Sequence, residues 1–381
     1  MTLRVGIAGY GLAGRYFHAP LLKGCGFEVV AIQTSNEERK QHALSDFPDT
    51  TVVATIEELV SKELDLVVVA SANLVHAEHA IAAINAGIPV VVDKPMGRTL
   101  VETELIVNAA KKASVGLSTF FNRRWDSDAL TIKKVLASGV LGEVHRIDSR
   151  FERFRPELNA TSWRENMSAA DGGGQLLDLQ PHLISTAIDW FGKAELVTAT
   201  VRSLRGGADD DSVLVLRHAS GTISYLSASA VVGAPGPRIR ILGTKGALVI
   251  NDLDPQEALL RAGKYPEGGT WTVPTNSRAF IHRGDEIEEI KSLPHVPMSH
   301  PFVERLIGSI RRELLDHTFF WTVTDLEHKL RHYQGYYNQH RTHSGRDGAT
   351  PVDSDVNRVV DINQFRWEKY CRGLFELPVA A

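Results

Sequence analysis

A short apolar run, Val5–Ala8, leads directly into Gly9-Tyr10-Gly11-Leu12-Ala13-Gly14 and then into a helix-like stretch. Three glycines at this spacing, between a strand and a helix, leave few folds open. Gly9 permits a tight turn, Gly11 lets the backbone approach a bound group, and Gly14 lets the helix sit close on the strand. The free N–H groups and positive dipole end of that helix favour an anion, which points to the pyrophosphate of a dinucleotide. Further apolar runs of strand length follow at Val29–Gln33, Leu66–Ala70, Pro89–Val92 and Gly116–Phe121, with helical spacing at Thr55–Lys62 and Val75–Ala86. Strands alternating with helices predict an α/β, doubly wound parallel sheet over residues 1–122.

At 381 residues the chain exceeds one ordinary core. From residue 123 to 285 the rhythm changes. His145–Glu152, Leu196–Arg202, Ser212–His218, Thr222–Ala230 and Arg238–Gly243 succeed one another with glycine-rich turns between several of them. This predicts a second, α+β domain built on an open antiparallel sheet, with one clear helix from about Leu179 to Trp190.

Candidate chemistry clusters where the first sheet's strands end. An acid after the second strand would favour NAD by bonding the ribose 2′-hydroxyl. Here the chain reads Gln33-Thr34-Ser35-Asn36, with Arg39 and Lys40 close by. Hydroxyls and cations suit the 2′-phosphate of NADP, with NAD as the alternative. Val91-Val92-Asp93-Lys94-Pro95 ends a buried strand in a charged pair, and a lysine there points into the ligand crevice. Gly172-Gly173-Gly174 precedes Asp178 and His182, four residues apart and so on one helical face, where the carboxylate can orient an imidazole acting as a base.

Together these motifs resemble the Gfo/Idh/MocA family of oxidoreductases, within it the NADP-dependent scyllo-inositol dehydrogenase type. That subgroup is suggested by Phe17-His18-Ala19-Pro20-Leu21, Asn122-Arg123-Arg124-Trp125-Asp126-Ser127-Asp128, Phe151–Pro156 and Trp163-Arg164-Glu165. The resemblance implies hydride transfer between a nicotinamide and the hydroxyl of a sugar or cyclitol. It implies catalytic roles for Lys94, Asp178 and His182, with His182 taking the hydroxyl proton, Asp178 orienting it and Lys94 holding the oxygen. It places the cofactor against Gly9, Gly11, Leu12, Ala13, Gly14, Thr34, Ser35, Arg39, Ala70, Asn73, His76, Asp93 and Lys94. Asn122, Arg153, Trp163 and Arg164 are candidates for lining the substrate pocket, with packing between domains as the alternative. Gln180 stands where the family has glycine, Ser185 where an acid is common, and Phe121 where a histidine often precedes the Asn-Arg-Arg-Trp run. If that glycine serves a positive φ, Gln180 costs stability and displaces His182.

From about Ser299 the texture changes again, and residues 286–381 are assigned to a separate tail. Ser299–Glu313, Tyr336-Tyr337-Asn338, Arg341 and His343 resemble the C-terminal end of a DDE integrase or transposase core, joined in frame somewhere within 280–299. Glu304 matches the third metal-binding carboxylate of such cores, but the strands carrying the other two should precede it, and a dehydrogenase precedes it instead. One carboxylate cannot hold two metal ions. No metal site and no working nucleic-acid function are expected, and helical patterns at Phe302–Leu315 and Asp325–Tyr337 read as remnants.

A net charge of −4 gives no reason for a nucleic-acid or membrane partner, and there is no apolar run long enough for a membrane span. Leu3 opens the first strand with no leader before it, and Cys25 and Cys371 lack metal or disulfide spacing, so a reduced cytoplasmic protein is expected. The expected partners are a small polyol or sugar and a second copy of the chain, through the open sheet.

Overall fold

The computed structural model describes residues 2–265, 278–291, 365–370 and 375–380, the last two segments as backbone. Residues 1–299 and 300–381 form two compact units.

Six strands, β1 (Arg4–Ala8), β2 (Glu28–Gln33), β3 (Thr51–Val53), β4 (Leu66–Val69), β5 (Val90–Asp93) and β6 (Leu117–Phe120), make a parallel sheet in the order β3-β2-β1-β4-β5-β6. Its central strands are buried on both faces, which is why they read as unbroken Val and Leu runs rather than as alternation. In register, Ile7 lies opposite Ile32 on one side and Val68 on the other. The helices are α1 (Ala19–Gly24), α2 (Glu37–Asp46), α3 (Ile56–Val60), α4 (His76–Asn85) and α5 (Leu100–Ala113). Local chemistry starts three of them. Asn36 accepts from the Arg39 N–H, Thr55 and Glu58 form a reciprocal capping box, and Thr99 accepts from the Glu102 N–H. One core cluster joins Val67, Val69, Val90 and Val92 of the sheet to Ile84 of α4 and Ile106 of α5.

The second part holds α6 (Ser127–Ser138), β7 (Val144–Glu152), α7 (Trp163–Asn166), α8 (Gln175–Asp178), α9 (Gln180–Phe191), β8 (Ala194–Arg202), β9 (Asp211–His218), β10 (Ile223–Ser229), β11 (Ile239–Gly243), β12 (Ala247–Ile250), α10 (Gln256–Arg261), β13 (Ala279–Arg283) and β14 (Glu286–Ile290). Eight strands form one sheet in the order β14-β13-β12-β11-β7-β10-β9-β8. The sheet is mixed rather than purely antiparallel. β7 and β10 run parallel, because the chain crosses over through α7–α9 and two further strands before β10 pairs with β7. α9 packs its Leu183 and Ala187 with Leu214, Leu216, Leu226 and Ala228, and α6 packs Ile132 and Val135 with Ile147, Ile239 and Ile241. The opposite face stays open. β8 is exposed along its whole length, and Leu196, Val201, Val213 and Tyr225 face solvent.

β14 lies within the range that the sequence assigns to the integrase-like tail, yet it pairs with β13 as the sheet's edge strand. The tight turn at Gly284, with φ at 64°, brings the two together. In the second unit, β15 (Phe365–Tyr370) and β16 (Phe375–Ala380) form an antiparallel pair. The helical patterns at 302–315 and 325–337, and Glu304, lie outside the described residues. Among those described, no helix is long and apolar enough to cross a membrane.

Candidate active site

The glycine-rich turn follows β1, and the helix after it is wound as a π-helical segment over Gly14–His18 before it continues as α1. A side chain at Gly14 would put its Cβ 2.1 Å from the Gly9 carbonyl oxygen, so the close approach of helix to turn depends on glycine there. At Gly11 a Cβ would meet only the Arg39 guanidinium, at 3.7 Å. An uncovered backbone under a cation fits the pyrophosphate of a dinucleotide. Leu12 and Ala13 lie at the entry to this helix, with Leu12 partly exposed. Thr34 and Ser35 follow β2 and, with Lys40, Glu58 and Lys62, line a cavity of about 580 Å³. Arg39 stands over Gly11 instead, and Lys62 is a cation that sequence reasoning did not single out.

Ala70, Asn73 and His76 lie just past the end of β4. The Asn73 amide donates to the Gly172 carbonyl at 2.9 Å, and the His76 ring bridges the carbonyl oxygens of Pro95 at 2.8 Å and Ser71 at 3.1 Å. Both side chains thus hold neighbouring backbone in place. Asp93 accepts from the Lys94 N–H at 2.8 Å, and His18, stacked on Phe120, lies 3.8 Å from its other oxygen. Burial alone would raise the Asp93 pKa, but the hydrogen bond and charge of His18, with Lys94 and His76, hold it below the ordinary value.

Lys94 reaches from the end of β5 to the second domain. Its Nζ donates to the Asp178 carbonyl at 2.6 Å and to Asp178 Oδ1 at 2.8 Å, and Arg164 Nε lies 3.5 Å from the same oxygen. Burial works against charge on Asp178, yet Lys94 and Arg164 keep its pKa well below the usual carboxylate range. No hydrogen bond joins Asp178 to His182, contrary to the pairing expected from their spacing. The continuous helix that the expectation required is broken at Leu179, with Asp178 closing α8 and His182 in the first turn of α9. His182 is buried against Phe151, its Nδ1 has no hydrogen-bond partner among the described residues, and burial, then the charges of Lys94 and Arg123, push its pKa well down. It is a neutral imidazole, the form able to accept a proton.

Gln180 is not in a left-handed conformation. It opens α9 with its side chain fully buried, and the two hydrogens of Nε2 are shared among Ser212 O at 3.2 Å, Ser212 Oγ at 3.1 Å and Leu226 O at 3.3 Å. The expected cost therefore reverses sign, since Gln180 ties α9 to β9 and β10. Gln180→Gly, which restores the family's residue, should lower stability by about 2 kcal/mol through lost buried hydrogen bonds and a void. A denaturant titration checks this, and a variant as stable as the parent would contradict it. Ser185, in place of the acid, accepts from Arg124 Nε at 2.6 Å.

Of the proposed pocket residues, Arg153 and Arg164 line a cavity of about 140 Å³ together with Asp178. Asn122 and Trp163 are not part of that lining. Asn122 Oδ1 accepts from the Arg123 N–H at 3.0 Å, and the Trp163 ring lies under the Arg164 guanidinium, 4.4 Å from centroid to Cζ. Arg155, Gln175 and Arg205 also line the cavity; Arg155 stands within the Phe151–Pro156 motif without being a site candidate there, and Arg205 carries no motif. In the sequence Asp126 and Asp128 appear only as members of the Asn122–Asp128 motif; that their carboxylates are buried with Asp254, with oxygens within 4.8 Å of one another, is decided by the structure. Arg123 donates to Asp126 at 3.1 Å and pairs also with Glu257. Burial and mutual repulsion raise the pKa values of Asp126 and Asp128. Asp254 accepts from the Ser127 N–H at 2.8 Å and the Gln256 N–H at 2.9 Å, and so ties the start of α6 to the start of α10.

A doubly wound parallel sheet with a glycine-rich turn after β1 defines the class of dinucleotide-binding proteins. Comparison with known proteins narrows the class. Residues 3–121 match the oxidoreductase family with an NAD-binding Rossmann fold, residues 129–249 the GFO/IDH/MocA C-terminal domain, and residues 286–351 an integrase core domain. The scyllo-inositol 2-dehydrogenase (NADP(+)) IolW of Bacillus subtilis is 38% identical over 318 residues, covering 82% of this chain and 87% of that protein. The myo-inositol 2-dehydrogenase of Thermotoga maritima is 28% identical over 303 residues, covering 76% and 86%. The solved structure of the oxidoreductase yvaA from Bacillus subtilis superposes with a TM-score of 0.72 at 34% identity, over 87% of this chain and 94% of that one. The chain belongs to the Gfo/Idh/MocA family of oxidoreductases and carries an integrase-type segment after it.

Proposed function

We propose that this protein is an NADP-dependent dehydrogenase acting on a CH–OH group of a cyclitol or sugar. The observation that carries the reading is the Lys94–Asp178 contact, which brings an amine held by the dinucleotide domain to the helix pair that carries His182. The bound nicotinamide would supply the hydride acceptor. His182, neutral and buried, takes the hydroxyl proton as the C–H bond gives up its hydride and the carbonyl forms. Lys94 donates a hydrogen bond to the oxygen as negative charge grows on it. Asp178 positions Lys94 rather than His182. A small polyol or sugar is the natural partner, self-association would use the open face of the eight-stranded sheet, and a reduced intracellular setting suits the chemistry.

The NADP preference rests on Thr34 and Ser35 at the end of β2, where an acid would favour NAD; Lys40 and Lys62 line the same cavity, together with Glu37 and Glu58. NADPH should bind at least about tenfold tighter than NADH, and Thr34→Asp should reverse the order by placing a carboxylate against the phosphate. Fluorescence titration of both cofactors checks this, and an NADH preference in the unmodified chain defeats it. Reduction of NADP with scyllo- or myo-inositol tests the activity itself. The integrase-type match at 286–351 favours one second reading, a fusion that binds dinucleotide without turnover. NADPH binding with no turnover of any polyol or sugar would select it.

A further inference from the structure

The cavity beside Asp178 holds more positive charge than its own carboxylates neutralise. Arg153, Arg155, Arg164 and Arg205 line it against Glu165 and Asp178. Arg205 is matched by Glu165 at 3.0 Å and Asp210 at 2.9 Å. Arg164 shares Asp178 with Lys94. Asp209, the remaining carboxylate of the lining, accepts from the Leu176 N–H at 2.7 Å at the start of α8. Arg153 and Arg155 are left with no ion pair and no side-chain hydrogen bond among the described residues. They flank Phe154, whose backbone bridges to Val231 in extended geometry, so their side chains leave the chain on the same side. Arg153 is half-buried, and its pKa is lowered by burial first and by the Arg155 charge next, with Glu257 and Asp178 opposing.

Two guanidinium groups lining one cavity, Arg153 half-buried and Arg155 exposed, repel each other, and an anion seated between them would offset that repulsion. Neutral hydroxyls accept hydrogen bonds from such groups but cannot offset their charge. A carboxylate or phosphate does both, and the planar fork of arginine fits either one in bidentate fashion. We propose that the substrate carries an anionic group, a carboxylate or a phosphate on the sugar or cyclitol, seated on Arg153 and Arg155 while the reacting hydroxyl faces Lys94 and His182. The proposal rests on the dehydrogenase reading and gives it a substrate class.

The full chain, with NADP, is assayed on glucose, glucuronate and glucose 6-phosphate, which differ only at one carbon. At low salt kcat/KM should be at least about tenfold higher for an anionic member than for glucose, and the ratio should shrink as ionic strength rises. The carboxylate and phosphate arms show which anion the cavity takes. Arg153→Ala should bring the ratio close to one and Arg153→Lys should keep part of it, while NADPH affinity, which reports the fold, stays as in the parent. Equal or better use of glucose overturns the proposal and leaves the dehydrogenase reading intact. So does an Arg153→Ala variant that keeps the ratio or instead loses NADPH. If none of the three turns over, calorimetry on the NADP-loaded chain decides. Binding of glucuronate or glucose 6-phosphate but not glucose, abolished by Arg153→Ala, upholds the anion site while the dehydrogenase reading fails. Binding without anion preference ends the proposal.

Discussion

Lys94→Ala should cut kcat by about a hundredfold or more while NADPH still binds. In the proposed reaction Nζ donates to the oxygen on which charge develops, and removal of one such preorganised donor typically costs two to three orders of magnitude, or ~3–4 kcal/mol. Its side chain is only 14% exposed and lies 2.8 Å from Asp178 Oδ1, so water replaces it poorly. Asp178→Asn should have a smaller effect of the same kind. It keeps a group able to hydrogen-bond Nζ, through its own side chain or through the backbone carbonyl, but removes the charge that holds the amine in place. His182→Ala should match Lys94→Ala, because the proton then has no acceptor. Steady-state turnover with cofactor titration in parallel separates these cases. Full activity in Lys94→Ala would show that the amine is a structural tie between domains and nothing more.

The second large effect is expected at the glycine-rich turn, where two substitutions of equal size should differ in kind. Gly14→Ala forces a Cβ to within 2.1 Å of a backbone oxygen that cannot move without unwinding the turn. It should cost ~3 kcal/mol or more of stability and abolish dinucleotide binding. Gly11→Ala meets nothing closer than Arg39 at 3.7 Å and should fold as well as the parent. It should still weaken NADPH by roughly tenfold or more, because the methyl occupies the ground over which the pyrophosphate would lie. Melting temperature and NADPH affinity, measured on both variants, separate the two effects. If Gly11→Ala binds NADPH unchanged, the phosphates do not approach that backbone.

The join between the two ancestral pieces has a physical explanation. The integrase match begins at residue 286, and residues 286–290 are the edge strand of the oxidoreductase's own sheet. Pairing at a sheet edge is made by backbone groups and tolerates almost any extended sequence. Arg283 pairs with Glu288 at 3.1 Å and Arg278 with Glu289 at 3.1 Å, so the added strand also meets charges of the right sign across the ladder. A segment of foreign origin can therefore extend this sheet by backbone pairing, with Ile290 the one residue of β14 packed against the sheet's core.

Local chemistry was legible in the chain itself. Strands buried on both faces read as apolar runs, glycines mark where backbone must come close, and apolar spacings of three and four mark the helices within Thr55–Lys62 and Val75–Ala86, because each of these depends on neighbours a few residues away. From them follow the parallel sheet, the turn that cradles a dinucleotide and the presence of Lys94 at a strand end. What lay out of reach depends on residues far apart in sequence. Lys94 meets Asp178 across 84 residues, and the break at Leu179 withdraws that carboxylate from His182. Gln180, suspect as a departure from glycine, is a buried tie to strands 32 and 46 residues away. Arg153 stands out in the sequence as a pocket candidate, but only the cavity shows that it and Arg155 line one space without an ion pair among the described residues. Spacing along the chain determines which groups arrive together on one element, and only packing between elements decides which of them touch, which are buried and which charges remain unpaired.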